Sequence, residues 1–199
     1  TVADVLRSAK VAEPLNVLDC SPITDGAAAV VLAEIGIARR LARGRPLVRV
    51  AGVGHATDAI ALHGRADLTA IPATAKAADR AFGMAGRRRA DVSLVELHDC
   101  FTIAEIVVLE SLGLCAPGQG GAQAECGRTA LGGALPVNVS GGLKSKGHPV
   151  GATGIAQLAE LTAQLRGECG KRQVAGARLG LAQNMGGTGA SSVVTLLEV

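Results

Sequence analysis

Apolar and polar positions alternate with two different periods along this chain, and the changes of period mark its elements. Val2, Val5 and Leu6 fall on one face of a short amphipathic helix over residues 1–10, closed before Pro14. Val17-Leu18-Asp19-Cys20-Ser21-Pro22 reads as a strand running into a turn, and Thr24-Asp25-Gly26 as a further turn. Ala27–Ala33 is an unbroken run of small apolar residues, the pattern of a strand covered on both faces. A helix is predicted over Glu34–Leu41, stopped near Gly44 and Pro46, and then a strand over Leu47–Val53. Gly54–Ile71 reads as a loop. Pro72–Ala85 is helical, with Ala73, Ala77, Ala78 and Ala81 spaced for close packing.

The second half repeats this alternation. Val92–Leu97 is a strand that passes directly into a helix through Ile103, Ile106, Val107 and Leu112, with Gly113 as its stop. Cys115–Leu135, rich in glycine and other small residues, reads as a surface loop. Ile155–Leu165 is a helix with Leu158, Leu161 and Leu165 facing inward. Gly176–Asn184 and Ala190–Glu198 are two strands joined by a glycine turn. Strands alternating with helices predict an α/β fold, a layered α/β/α sandwich with a mixed sheet.

Composition narrows the function classes. With 199 residues there is room for one α/β domain plus a fragment, and the Arg43–Pro46 linker is the expected boundary, giving units 1–43 and 44–199. Apolar residues make up 48% but aromatics 1%, and the net charge is +3, so a nucleic-acid surface of basic and aromatic residues is not expected. No apolar run is long enough to span a membrane. The five cysteines, without Cys-x-x-Cys spacing, argue against disulfides and zinc and fit a reducing, cytoplasmic setting. His55 and His63 lack further ligands around them, so no metal is expected.

Two stretches carry candidate chemistry. In residues 138–154 glycines crowd around His148-Pro149, just before a helix start, where free N–H groups favour negative charge. Histidine is the side chain suited to move protons or donate to an oxyanion near neutral pH. In Glu96-Leu97-His98-Asp99-Cys100-Phe101 a strand end meets a helix start, which is where α/β folds place ligands. Cys100 taken alone is a residue that simply packs. Beside His98, at a helix N-terminus that lowers a thiol pKa, it becomes a candidate reactive group.

Gly147-His148-Pro149-Val150-Gly151-Ala152-Thr153-Gly154 resembles the Gly-His-Pro-x-Gly-x-x-Gly signature of the thiolases. Asn138 to Lys146 is similar to the sterol-carrier-protein-type and archaeal branch. His98-Asp99-Cys100-Phe101 resembles the His-Asp-Cys-Phe of the sterol-carrier type. Other thiolases have Asn-Glu-x-Phe there and a separate cysteine near the C-terminus. The corresponding segment here, Gln183-Asn184-Met185-Gly186-Gly187-Thr188-Gly189, keeps the glycines and has no cysteine. Ser21 to Ala29 resembles the Asp-Gly-Ala-Ala strand that closes the N-terminal half of thiolases, so the likeness covers about the second half of such a protein.

The resemblance implies acyl transfer with coenzyme A thioesters, of the acetyl-CoA acetyltransferase kind, with the thioester as substrate and no permanently bound cofactor. It implies Cys100 as acid/base and His148 and His98 as donors to a thioester oxygen. Backbone support would come from Gly186, Gly187 and Gly189, and Asp99 would orient its loop. Substrate contacts are implied for Asn138, Ser140, Gly141, Gly142, Phe101 and Pro149. The acyl-accepting nucleophile of thiolases lies in the other half, and Cys20, Cys115, Cys126 and Cys169 are in no matching context. The expected partners are therefore acyl-CoA and a thiolase N-terminal half or another thiolase chain in an oligomer, with a small acyl-CoA-binding OB-fold/zinc-ribbon protein as a further one. Two alternatives stay open: a thiolase-like aldolase acting on steroid side-chain thioesters, and a non-catalytic subunit that completes another chain's sheet.

Overall fold

The structure is a computed structural model describing residues 1–199. Its N-terminal section holds helix α1 (Val2–Arg7), capped by the Thr1 hydroxyl, a small hairpin of β1 (Lys10–Ala12) and β2 (Leu15–Asn16), and helix α2 (Ile35–Ala42). The main body comprises strand β3 (Arg49–Thr57), helix α3 (Pro72–Ala85), strand β4 (Leu94–Glu96) and helix α4 (Thr102–Ser111). These are followed by helices α5 (Gly120–Glu125), α6 (Gly142–Lys146) and α7 (Thr153–Arg166), and strands β5 (Leu179–Gly186) and β6 (Ser191–Glu198).

The sheet order is β3-β6-β5-β4, with β5 parallel to β4 and the other pairs antiparallel. Neighbouring residues of each strand serve opposite faces. Val95, Leu181 and Leu196 meet α3 and α4 through Ala77, Ala81, Val108 and Leu112. Leu94, Ala182 and Leu197 meet Leu161 and Leu165 of α7. The mixed sheet between two helical layers is the architecture that the alternation predicts. Alanines on α3 allow its backbone to lie directly on β3, where a Cβ at Gly52 or Gly54 would overlap the carbonyls of Ala81 and Ala77. Only glycine permits that approach.

Four expectations need correction, the first being that Val17–Asp19 is a turn of 3₁₀ helix rather than strand. Part of the Gly54–Ile71 loop is strand, because β3 continues to Thr57 with His55 paired to Val193. The Cys115–Leu135 excursion contains α5, anchored where the Gly120 N–H donates to Glu110 Oε1 at 2.8 Å. Most important, Ala27–Ala33 is not a buried strand. It is extended with no ladder partner, and Val31 and Leu32 are 92% and 78% exposed. An apolar pattern records what a segment needs, and these 199 residues place no second strand beside it. A cleft of about 610 Å³ separates this segment and α2 from the sheet, lined by Val31, Leu32, Leu41, Leu47 and Val50 among others. No helix is long and apolar enough to cross a membrane.

Candidate active site

The β4–β5 ladder ends at the pair Glu96–Ala182, and side-chain amides replace it. The Leu97 N–H donates to Asn138 Oδ1 at 2.8 Å, and the His98 N–H donates to Gln183 Oε1 at 3.2 Å. Gln183 is fully buried and itself donates to Thr74 and Ser192 hydroxyls at 3.2 Å. Held on both sides, the chain turns out of the sheet through His98, Asp99 and Cys100 and enters α4.

The second loop is shaped by Gly147, at φ +92°, where a Cβ would press on Thr24. Pro149 follows His148 and its carbonyl accepts the N–H groups of Ala152 and Thr153, at 2.8 and 3.0 Å, to start α7. Residues 19–23 run between the two loops as a strap. The Ser21 N–H donates to the Cys100 carbonyl at 2.9 Å and the His148 N–H to the Pro22 carbonyl at 3.1 Å. Cys20 bridges Phe101, Ile23 bridges His148, and the Thr102 hydroxyl donates to Asp19 at 2.9 Å. The strap thus ties the N-terminal section to both loops.

The His98 and His148 rings meet edge to face, with centroids 4.9 Å apart and planes at 87°. Burial and the neighbouring His148 push His98 down to about 4, and burial also lowers His148 although Asp99 opposes it. With both lowered, the two imidazoles are neutral at pH 7, and a neutral imidazole can offer an N–H without carrying charge. His98 Nδ1 receives the Asn184 amide at 3.2 Å, and His148 Nδ1 faces the Thr153 hydroxyl at 2.8 Å.

Cys100 lies on the same turn as His98, half-buried. Its thiol is pushed up, by burial first and the Asp99 carboxylate second, against backbone N–H groups of Cys100 and Phe101 that favour the thiolate. The helix start therefore does not produce the lowered thiol pKa that the sequence suggests, because a carboxylate one residue away and poor solvation outweigh it. The group rests as a thiol. Asp99 does orient the loop: its Oδ1 accepts the Leu143 N–H at 2.8 Å, and a Cβ at Gly142 would collide with its carboxylate.

Several residues expected to touch substrate make bonds within the scaffold. Asn138 holds Leu97, as above. Ser140 donates to the fully buried Glu96 at 2.6 Å and accepts from Lys146 at 3.1 Å, while Gly142 makes room for Asp99. Gly141, at φ +97°, accommodates the turn into α6. Pro149 packs over Gly26, where a Cβ would lie 2.8 Å from its ring. Phe101 remains 43% exposed at the rim. Gly187, Thr188 and Gly189 all have positive φ, and the Ala190 N–H closes their turn on the Gly187 carbonyl at 3.0 Å. Arg65 pins it by donating to the Thr188 carbonyl at 2.7 Å.

Sequence reasoning passed over Gln157, Gln183, Asn184 and Glu105. Gln157 is buried on the inward face of α7, with Leu161, Gln164 and Leu165 at following turns. Polar residues in register with that stripe were the available signal. Glu105 is raised to about 7, by burial first and Asp99 second, with Asn138 opposing at 3.5 Å.

Comparison with known proteins shows the family. Residues 54–199 match the family model described as thiolase C-terminal domain-like. The chain is 52% identical over 198 residues to an acetyl-CoA acetyltransferase of Methanothermobacter thermautotrophicus, covering all of this chain and 51% of that protein. It is 41% identical to sterol carrier protein 2 of Oryctolagus cuniculus, covering 98% of this chain and 36% of that protein. Among solved structures, a chain of an Ltp2-ChsH2(DUF35) aldolase superposes with a TM-score of 0.84 at 24% identity, over 98% of this chain and 50% of that one. The chain thus spans about half or less of the proteins it matches.

Proposed function

The chain belongs to the thiolase family, and we infer that it supplies the acid/base and oxyanion-binding half of a site that transfers acyl groups to and from coenzyme A. The observation that carries this reading is the neutral, edge-to-face His98–His148 pair on the same pair of loops as the Cys100 thiol. Carbon–carbon bond formation between thioesters needs a proton taken from the carbon beside a carbonyl and donors for the oxygen that becomes negative. Cys100 serves as the acid/base, His98 and His148 face the thioester oxygen, and N–H groups of the Gly186–Gly189 turn serve a second oxyanion. One such donor is worth about 3 kcal/mol in the transition state.

The acyl-bearing cysteine comes from a thiolase N-terminal half or another thiolase chain, whose strands cover Ala27–Ala33 and close the apolar cleft beside α2. The relatives being about twice as long supports that arrangement. Acyl-CoA is the substrate, consumed rather than resident. Retention of Cys100 beside both histidines favours thiolase over aldolase, for which only the likeness of fold speaks.

The test is reconstitution. The chain is mixed with a polypeptide equivalent to the preceding half of the archaeal relative, and cleavage of a 3-ketoacyl-CoA by free coenzyme A is followed. Turnover is expected only from the mixture. Turnover by the chain alone would overturn the half-site reading, and none from a stable complex of both would overturn acyl transfer.

A further inference from the structure

The two histidines have different partners at Nδ1, and that difference decides what each can do. A carboxamide nitrogen only donates, whereas a hydroxyl donates or accepts. The network behind His98 can be followed to a fixed end. Gln157 Nε2 donates to the backbone carbonyl of Gln183 at 3.0 Å, which orients its amide and leaves Oε1 as an acceptor. Asn184 Nδ2 lies 3.4 Å from that Oε1 and 3.2 Å from His98 Nδ1, so the two hydrogens of one amide group each have a target. Gln157 is 1% exposed and cannot exchange these bonds for water.

We propose that Gln157 and Asn184 form a relay that locks His98 in the tautomer with its proton on Nε2, making it a permanent donor from that nitrogen beside His148. Reversing the tautomer would set the Nδ1–H against an amide N–H and leave buried donors unpaired. His148 is under no such constraint. The Thr153 hydroxyl beside its Nδ1 also reaches the Pro149 carbonyl at 3.2 Å, so by rotating it serves either tautomer. One ring is fixed as a donor and the other is free to adopt either tautomer. Both amide residues are positioning residues. The use of the donor rests on the acyl-transfer reading, but its protonation does not.

The experiment is a two-dimensional ¹⁵N–¹H spectrum of the full chain with labelled histidine, near pH 7. The four histidines are assigned by single substitutions. His98 should show the Nε2–H form in excess by roughly tenfold or more. Asn184→Asp replaces the donor with an acceptor and should protonate Nδ1. Asn184 is only part-buried, so this charge is tolerable, and Gln157→Leu offers a second route, expected to collapse the excess to a mixture. Thr153→Val should move the His148 signals and leave those of His98 in place. A wild-type His98 protonated on Nδ1, or His98 signals unchanged in both amide variants, would overturn the relay whatever the activity. Failure of acyl transfer in the reconstituted complex would defeat the functional reading and leave the spectrum standing.

Discussion

Around His98 and His148 almost every polar atom has a partner, whereas along residues 23–41 apolar side chains face solvent one after another. Gln183 alone holds the His98 backbone and two hydroxyls. By contrast Ile23, Val31, Leu32 and Leu41 are 67–92% exposed, on a segment with no ladder of its own. The first region is completed by residues of this chain. The second is left uncovered by the rest of this chain. Preorganised polar chemistry and unfinished packing thus coexist in one chain, the strap at residues 19–23 joining them.

Substitutions can break or sharpen that contrast. The largest effect belongs to Cys100→Ala, expected to lower condensation in the reconstituted complex by about 10²–10⁴-fold. Acyl loading of the partner's nucleophile should suffer less, and the unfolding midpoint of the chain should barely move. Stopped-assay rates for the two steps check it, and near-wild-type condensation would return Cys100 to a packing role. Next comes a paired test of packing. Leu161→Ala removes a fully buried side chain between α7 and the sheet and should cost about 2–5 kcal/mol in urea unfolding. Leu32→Ala should change the stability of the chain alone by no more than about 0.5 kcal/mol yet weaken assembly with the other half. Equal losses from both would erase the contrast.

Glu105 gives a smaller, pH-dependent effect. Its carboxyl is raised from 4.5 to about 7, so the protonated form stabilises the fold fully below about pH 4.5, and that contribution is lost as pH rises through about 7. Glu105→Gln should therefore be more stable than wild type at pH 8, by about 2 kcal/mol after allowing for partial exposure, and indistinguishable from it near pH 4. Denaturant unfolding at the two pH values decides it. The smallest effect is expected at Thr24, whose hydroxyl is buried without a partner. Thr24→Val keeps its shape and should be neutral or slightly stabilising in thermal unfolding.

The fold was legible in the sequence wherever an element is completed by its own neighbours. Pro72–Ala85 appears as a helix with the predicted limits because proline starts it, Gly86 ends it at φ +63°, and its alanines face β3. Ala27–Ala33 shows the pattern of a covered strand, but residue character cannot say which chain supplies the cover, and within this chain it has none. The site was legible as far as its motif residues, since His98 and His148 do come together. What was not legible is the division of labour. Asn138 and Ser140 bond to Leu97 and Glu96, and the Cys100 pKa depends first on burial, which spacing does not reveal. Gln157 and Asn184 lie 27 residues apart, too far for any local pattern to join them.

The strap also works as a ruler. Ile23 is fixed to His148, and only Thr24, Asp25 and Gly26 separate it from Ala27. The four steps from Ile23 to Ala27 reach at most about 14 Å when fully drawn out, and Gly26 is already tucked under Pro149. Any molecule that grips the Ala27–Ala33 segment is therefore delivered within a tether's length of the imidazole pair, at a distance set by chain length rather than by its own affinity. Lengthening the tether by a few glycines would leave both grips intact and lose the alignment between them.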